Sequence, residues 1–416
     1  MESFKVALAA ADPQQIIPQH LPTPPKGRTI VVGAGKAAAS MAKAVEDHWP
    51  QDLMLEGLVV TRYGHSLPTQ RIRVIEAGHP VPDEQGEKAA KEILALTQSA
   101  QPEDLVLVLV SGGGSSLLSL PAANISIPEL RLVTQSLLKS GAPIQDMNTV
   151  RKHLSAIQGG RLAVVSKAPV RALIISDVPG DDPTHVASGP CAPDPSTYTD
   201  AVEILKRYDI DASASIKTHL AKGLMGEVEE TPKPGDLLFS QVENCVVASA
   251  HLSLNAAVAF FQQRGITPVL LGDSVAGEAR EVAKVYGALT RQIRQHNHPF
   301  KTPVALISGG ETTVTVRGNG LGGRCSEFLL SLAIDLNKLE NVYALAADTD
   351  GIDGSEDNAG AIITPDTLTR SRDLGFSAKA LLANNNAYSF FASLRDLVIT
   401  GPTRTNVNEY RAILIL

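Results

Sequence analysis

The chain has 416 residues, of which 44% are hydrophobic and 19% are charged, so it is long enough for two or three domains with substantial cores. Its formal net charge of −7 argues against nucleic acid as the main partner, and its 4% of aromatic residues disfavours a base-stacking surface. No apolar run is long enough to span a membrane, and the three cysteines form no C-x-x-C pair, so we expect a cytoplasmic protein with no membrane partner.

Strand and helix patterns alternate along the chain, which is typical of an α/β protein with largely parallel sheets. A charged connector that contains prolines, residues 229–236, interrupts this alternation. It predicts an N-terminal domain at residues 1–232 and a C-terminal region at residues 237–416. The predicted strands are residues 28–32, 57–61, 71–76, 105–110, 170–176, 245–248, 267–271, 304–307, 313–317, 342–346, 396–399 and 411–416. The predicted helices are residues 36–48, 83–97, 127–140, 148–165, 252–264 and 326–336.

The first predicted strand ends in the glycine turn Gly33-Ala34-Gly35-Lys36. One interpretation is a dinucleotide-binding turn, but the second strand leads to Arg62, where NAD would require an acidic residue for its ribose. NAD is therefore disfavoured, whereas NADP is tolerated. The other interpretation is an anion site, because Gly33 and Gly35 allow close backbone approach and a lysine opposes the helix dipole unless a negative ligand compensates. We favour a phosphate-binding or catalytic Lys36, with a solvated surface lysine as the alternative.

Two predicted strands end in Ser-Gly-Gly. Ser111-Gly112-Gly113-Gly114-Ser115 follows residues 105–110, and Ser308-Gly309-Gly310-Glu311 follows residues 304–307. Open α/β sheets bind ligands at the carboxyl ends of strands, so we predict that Ser111–Ser115 and Gly309–Glu311 bind phosphate, although either could be only a tight turn. A later glycine-rich loop presents Arg324 at the start of a helix, where a guanidinium suits a phosphoryl or carboxylate group.

Two groups of carboxylates also follow predicted strands. Asp177 and Asp181 lie after residues 170–175, where they could bind Mg²⁺ or accept a proton from a hydroxyl group. Asp350 and Asp353 lie after residues 342–346, in a segment that is not an EF-hand because Ile352 occupies a position that requires an oxygen ligand. We predict that Asp350 and Asp353 bind Mg²⁺, with a network of Asx turns as the alternative.

A helix predicted from Asn148 carries Arg151 and Ser155 on one face, at the spacing i, i+4. Arg151 could bind the carboxylate of a substrate or form a salt bridge between helices, and the pattern leaves both alternatives open.

Taken together, these segments resemble the glycerate 2-kinase family, the class II glycerate kinases with a C-terminal MOFRL domain that were earlier labelled hydroxypyruvate reductases. The motifs occur in family order over essentially the whole chain. They are VVGAGKAA at 31–38, VSGGGSS at 110–116, NTVRKHLSAIQGGRLA at 148–163, SDVPGDDP at 176–183, ASGP at 187–190, SGGETTVTVRGNGLGGRCSE at 308–327, AADTDGIDG at 347–354 and GPTRTNVNE at 401–409.

The resemblance implies a two-domain α/β fold, with a Rossmann-like α/β/α N-terminal domain, a smaller C-terminal domain with the MOFRL region at about residues 302–410, and the active site in the cleft. It implies phosphorylation of D-glycerate by ATP at the 2-hydroxyl, for which we also expect Mg²⁺. By motif position, the catalytic pair would be Lys36 and Arg324, with Asp177 or Asp181 nearby. With glycerate as the substrate, we expect Arg151 to bind its carboxylate, and Arg151 and Ser155 are the predicted substrate-binding residues. The competing functions are an NAD(P)H-dependent hydroxypyruvate reductase and a non-catalytic protein that binds an anionic metabolite. The oligomeric state is open, with a homodimer as one alternative.

Overall fold

Two six-stranded sheets organise the chain, and the computed structural model describes every residue from Met1 to Leu416. The strands are β1 (Thr29–Ala34), β2 (Leu55–Arg62), β3 (Ile72–Ala77), β4 (Leu105–Ser111), β5 (Val170–Ile175), β6 (Val242–Ala248), β7 (Thr267–Glu278), β8 (Val304–Thr313), β9 (Val342–Asp348), β10 (Gly360–Ile363), β11 (Leu397–Val398) and β12 (Glu409–Ile415). The helices are α1 (Glu2–Ala9), α2 (Pro13–His20), α3 (Ala38–His48), α4 (Glu84–Ser99), α5 (Gly114–Leu117), α6 (Ile127–Ser140), α7 (Ile144–His153), α8 (Arg161–Val164), α9 (Tyr198–Arg207), α10 (Ala214–Leu224), α11 (Ala250–Gln262), α12 (Ala279–His296), α13 (Arg324–Leu336), α14 (Thr367–Asp373), α15 (Ala378–Ala383) and α16 (Ala387–Leu394). None of these helices has both the length and the apolar composition needed to cross a membrane.

The chain divides into two units, each with its own sheet and core. The first unit is Pro13–Val247, and the second combines Met1–Asp12 with Ala248–Leu416. This division differs from the predicted domains at residues 1–232 and 237–416. Helix α1 belongs to the second unit because Phe4 packs into the core beneath α11, and β6 lies beside β5 in the first sheet although it follows the predicted connector.

The sheet of the first unit has the order β3-β2-β1-β4-β5-β6, and strands β1 to β5 are parallel. The central strands β1 and β4 are buried along their whole length, as expected for apolar strands of a parallel sheet. The order reverses between β1 and β4, and open α/β sheets bind ligands beyond the carboxyl ends of the strands at such a point. The predicted Rossmann-like architecture is confirmed.

Helices α6, α7, α9 and α10 of the first unit share a separate apolar core. Helix α7 ends at His153, so the helix predicted over residues 148–165 is wrong. Gly159 and Gly160 have φ values of 62° and 82°, a left-handed conformation that interrupts a right-handed helix. Asn148 therefore lies inside α7 rather than at its start, and Ser155 lies beyond its end.

The sheet of the second unit has the order β11-β10-β9-β12-β8-β7. Strand β12 is antiparallel to both β8 and β9, so its first residues lie beside the carboxyl ends of those strands. Glu409 pairs with Asp348, and Arg411 pairs with Ser308. Helix α13 lies against this sheet and contributes Phe328 to the core. The predicted α/β C-terminal fold is confirmed.

The predicted break between two strands at Ser308-Gly309-Gly310 does not occur. Strand β8 continues from Val304 to Thr313 as one element, and no strand covers residues 314–317. Gly310 has a φ of 114°, and a Cβ atom there would lie 2.2 Å from the carbonyl oxygen of Val275 on β7. Close packing against β7 thus accounts for this glycine.

Candidate functional site

The carboxyl ends of β1 and β4 form one predicted part of the site, at the point where the first sheet reverses its order. The amide of Lys36 donates to the carbonyl of Gly112 at 2.8 Å, and the amide of Ala37 donates to Oγ of Ser111 at 3.0 Å. A Cβ atom on Gly35 would lie 2.1 Å from that Oγ. The two glycine turns predicted from the sequence are therefore hydrogen-bonded to each other, and Gly35 permits their close approach.

Lys36 lies in the turn between β1 and α3, and α3 begins only at Ala38. Lys36 therefore lies two residues before the first residue of the helix, whereas the sequence predicted it at the helix N-terminus. The side chain of Lys36 lies beside Gly113, since a Cβ atom on Gly113 would be 3.3 Å from its Cγ and 2.9 Å from the ring of His79. Gly113 has a φ of 81° and precedes α5, so a glycine there opens the space that Lys36 and His79 share.

The turn after β4 also connects to helix α7 through a chain of polar contacts. Oγ of Ser188 donates to Oγ of Ser115 at 2.9 Å and lies 3.1 Å from Oδ1 of Asn148. Nη1 of Arg151 donates to the same Oδ1 at 3.2 Å. This network places the guanidinium of Arg151 near the Ser115 turn, and both residues line one small cavity.

Arg151 forms no ion pair, which excludes the salt bridge that the sequence left open. Burial lowers the pKa of Arg151 to about 10. A largely buried guanidinium without a carboxylate partner is an unfavourable arrangement that an anionic ligand would relieve. Arg151 therefore retains the capacity to bind a carboxylate.

Ser155 also lines this cavity, but its hydroxyl is occupied by the backbone. Oγ of Ser155 accepts from the amides of Ile157 at 3.2 Å and Gln158 at 3.1 Å, and it donates to the carbonyl of Leu120. These bonds hold the turn after α7. Ser155 therefore stabilises this turn, whereas the sequence predicted that it contacts the substrate.

Asp177 and Asp181 follow β5, the neighbour of β4, at the same edge of the sheet. Both are half-buried. Asp181 adopts a φ of 55°, a left-handed conformation that aspartate tolerates better than most residues, and its amide donates to the carbonyl of Val178. The loop thus keeps both carboxylates at the carboxyl edge of the sheet, as the sequence predicted.

In the second unit, Arg324 is bound by three carboxylates. Its guanidinium pairs with Glu311, with Oδ2 of Asp348 at 2.7 Å and with Oε1 of Glu409 at 3.1 Å. Burial opposes the charge, but Asp348 and Glu311 raise the pKa of Arg324 above its ordinary value. Glu311, predicted to bind phosphate with Gly309 and Gly310, instead contributes a negative charge to this cluster.

Three members of this cluster, Asp348, Glu409 and Arg411, were not predicted as site residues. Glu409 is fully buried, pairs with Arg411 and accepts from the amide and hydroxyl of Thr312 at 3.1 Å. Arg411 donates to the carbonyl of Gly309 at 3.0 Å. Charged residues at the start of an otherwise apolar last strand were the available signal. Glu409 holds the guanidinium of Arg324, and Glu409 and Arg411 both bind residues at the end of β8.

Asp353 caps helix α13. Its Oδ1 accepts from the amide of Cys325 at 2.9 Å and its Oδ2 from the amide of Ser326 at 2.8 Å. Burial raises the pKa of Asp353, and these bonds to the helix N-terminus oppose the shift. This is the geometry of a helix cap and differs from the predicted metal ligand.

Asp350 also makes local bonds, because its Oδ1 accepts from the amide of Ile352 at 3.0 Å. That contact is an Asx turn, the alternative considered for this segment. No group of three or more His, Cys, Asp and Glu side chains is arranged to hold a metal ion. The role of Asp350 as a metal ligand stays a prediction.

Two family profiles match the chain, a domain of unknown function (DUF4147) over residues 1–221 and the MOFRL family over residues 304–409. A protein from Agrobacterium vitis with the provisional name hydroxypyruvate reductase is 49% identical over 99% of this chain and 93% of its own length. A D-glycerate 2-kinase from Thermotoga maritima is 40% identical over 98% of this chain and 96% of its own length.

A crystal structure of glycerate kinase from Thermotoga maritima is 39% identical and superimposes with a TM-score of 0.88, covering 100% of this chain and 98% of that one. The similarity therefore extends through both units and includes the glycine turns and the MOFRL region. Sequence motifs, fold and relatives agree, and this chain belongs to the glycerate kinase family.

Proposed function

We propose that this protein is a D-glycerate 2-kinase, which transfers the γ-phosphoryl group of ATP to the 2-hydroxyl of D-glycerate and yields 2-phosphoglycerate and ADP. The D-glycerate 2-kinase of Thermotoga maritima, similar over nearly its whole length, supports this assignment. The observation that carries it is the guanidinium of Arg151, which has no carboxylate partner and lines a cavity beside Ser115.

Arg151 suits the carboxylate of glycerate, because a guanidinium can donate two parallel hydrogen bonds to a carboxylate. The contact between Arg151 and Asn148 orients the guanidinium before substrate binds. We assign Arg151 to substrate binding and the glycine turns at Gly33–Gly35 and Ser111–Ser115 to phosphate binding.

Lys36 and Arg324 are proposed to stabilise the negative charge of the transferred phosphoryl group, since phosphoryl transfer depends mainly on positioning and electrostatic stabilisation. Glu311 is the most exposed partner of Arg324, with 60% of its side chain accessible. A phosphate oxygen would therefore displace Glu311 more readily than the buried Asp348 or Glu409. Asp177, with Asp181 as the second candidate, would orient or deprotonate the 2-hydroxyl.

Magnesium is proposed to reach the site with the nucleotide. Mg²⁺ commonly takes most of its ligands from substrate phosphates and water and only one or two from carboxylates, which fits a chain without a preformed metal cluster. Of the pair Asp350 and Asp353, only Asp350 remains a candidate for a protein ligand. The ion would neutralise part of the charge on the phosphate oxygens.

An enolase-coupled assay with Mg·ATP and D-glycerate, without phosphoglycerate mutase, tests the proposal. Enolase consumes 2-phosphoglycerate directly, so phosphoenolpyruvate should form without the mutase. A signal that requires the mutase would instead identify a 3-kinase. If neither mixture gives a signal but NADH or NADPH is oxidised with hydroxypyruvate, the protein is a reductase, as the provisional name of the Agrobacterium vitis relative suggests.

A further inference from the structure

A second cavity, of about 590 Å³, lies in the first unit. It is walled by α10 and by the first residues of α8 and α9, and its lining includes Arg161, Tyr198, Thr218 and His219. Among the predicted site residues only Ser155 reaches it. The volume is within the range of cavities that bind metabolites.

Arg161 provides this cavity with a positive charge that has no ion-pair partner. Its Nη1 donates to the carbonyls of Lys152 at 2.9 Å and Gln158 at 3.4 Å, and burial lowers its pKa. The nearest acidic residues are already paired, since Asp194 binds Lys152 at 2.9 Å and Glu230 binds Lys233 at 3.1 Å. A desolvated guanidinium without a counter-charge is stabilised by an anion.

Other groups around Arg161 limit the size and charge of a ligand. Lys222 lies on the wall formed by α10 and is exposed, so it adds a second cation near the solvent. Glu227 and Glu229 also line the cavity and are exposed. Their carboxylates would repel a large polyanion such as a nucleic acid, whereas a small anion would contact Arg161 and remain screened from them.

We propose that this cavity binds a small organic anion, a carboxylate or a phosphate monoester, through the guanidinium of Arg161. Nη1 of Arg161 would keep its bonds to the backbone, and the N–H groups that do not contact Tyr198 would donate to the ligand. The hydroxyl of Tyr198 already donates to the carbonyl of Glu229 at 3.3 Å and that of Thr218 to the carbonyl of Ala214 at 2.8 Å, so the guanidinium is the donor that remains for the ligand.

The cavity is linked to α7 by short contacts. Arg161 binds the carbonyl of Lys152, the residue that follows Arg151, and Ser155 lines both the Arg151 cavity and the Arg161 cavity. An anion that draws Arg161 towards the cavity would shift the end of α7 and hence Arg151. We therefore infer a regulatory site whose ligand changes the KM for glycerate; this part rests on the proposed function.

Binding is tested without any assay of activity. Inorganic phosphate and pyruvate are titrated separately by isothermal titration calorimetry, and hydrogen exchange locates the protected segments. We expect slower exchange in residues 155–161 and 214–222.

Arg161→Gln should weaken binding at this site at least tenfold. Thr218→Trp should do the same by filling the cavity, while it leaves the hydrogen bonds of Arg161 in place. Lys217→Gln, on α10 but outside the lining, is the matched control.

A response to phosphate alone identifies a phosphate ester as the ligand class, and a response to pyruvate alone identifies a carboxylate. The proposal is overturned if neither probe slows hydrogen exchange in these segments. If Arg161→Gln fails to fold, the test depends on Thr218→Trp, and unchanged binding in that variant also overturns the proposal. In the active enzyme, the effective probe should change the KM for D-glycerate more than kcat, and Thr218→Trp should abolish that change. An inactive protein that still shows the protection refutes the proposed function but not this site.

Discussion

Nζ of Lys152 lies 2.9 Å from Oδ1 of Asp194, and the two side chains are 2% and 0% exposed. Oδ1 of Asp194 also accepts from the amide and the hydroxyl of Ser196. The pair joins the last turn of α7 to the segment before α9, and Lys152 is adjacent to Arg151 on the chain. The position of the proposed substrate-binding arginine therefore depends on a buried ion pair.

Asp194→Asn should reduce the free energy of unfolding by about 3–5 kcal/mol, because it leaves the ammonium of Lys152 buried without a counter-charge. Urea denaturation measures this loss. Asp211→Asn is the matched control, since Asp211 pairs with Lys217 at an exposed position. An equal, small effect of both substitutions would contradict a stabilising role of the buried pair.

The same pair predicts a dependence of stability on pH. Burial opposes the charge of Asp194, but Lys152 and Ser196 lower the pKa of its carboxyl below the ordinary value. The resulting stabilisation is present above the pKa of an unfolded aspartate, about 3.9, and is lost as the pH falls through the lower folded pKa. The stability difference between wild type and Asp194→Asn should therefore shrink below about pH 4. A difference that stays constant from pH 7 to pH 3 would contradict the assignment.

Much of the fold could be predicted from local patterns. Apolar runs such as residues 105–110 become buried strands, and the alternation of strands and helices indicates a parallel sheet. The strand break at Ser308–Gly310 was wrong because the reason for Gly310 is its packing against Val275, a neighbour that no local pattern reveals. The assignment of α1 to the second unit likewise depends on the contact of Phe4 with a core formed by distant residues.

The candidate site was predictable only where a motif is continuous in sequence. The turn at Lys36 and the turn at Ser111 are each visible as glycine-rich segments, although their mutual hydrogen bonds are not. Glu409 was missed because its partner Arg324 lies far away in the chain, and the pairing of β12 with β9 brings them together. The absence of a partner for Arg151 is equally a property of the folded chain.

Arg324→Ala should lower kcat by about 10²–10³-fold, because the transferred phosphoryl group loses a preorganised positive charge. The substitution also leaves Asp348 and Glu409 with fewer partners, so urea denaturation must accompany the kinetics. Arg324→Lys retains the charge without the planar guanidinium and should be impaired but folded. Arg264→Ala, which alters an exposed arginine stacked on Phe260, is the control. Near-normal turnover of a folded Arg324→Ala protein refutes its catalytic role.

Lys36→Ala should also reduce kcat by about two to three orders of magnitude, with a smaller change in the KM for glycerate. The reason is the loss of a cation between the glycine turns after β1 and β4. Lys91→Ala removes an exposed lysine of α4 and should have no effect on turnover. If Lys36→Ala retains its kcat, the alternative of a lysine without catalytic function is supported.

The substitution Asp353→Asn distinguishes a helix-capping role of Asp353 from a role as a metal ligand. As a cap, Asp353 uses both oxygens to accept from the amides of Cys325 and Ser326, and asparagine offers only one such oxygen. We expect a loss of about 1–2 kcal/mol in the free energy of unfolding, measured by urea denaturation without Mg²⁺. The Mg²⁺ concentration that gives half-maximal activity should not change, because both carboxylate oxygens already bind backbone amides. A tenfold rise in that concentration without loss of stability would restore the metal-ligand role, and Asp350→Asn is the matched substitution for which such a rise is expected.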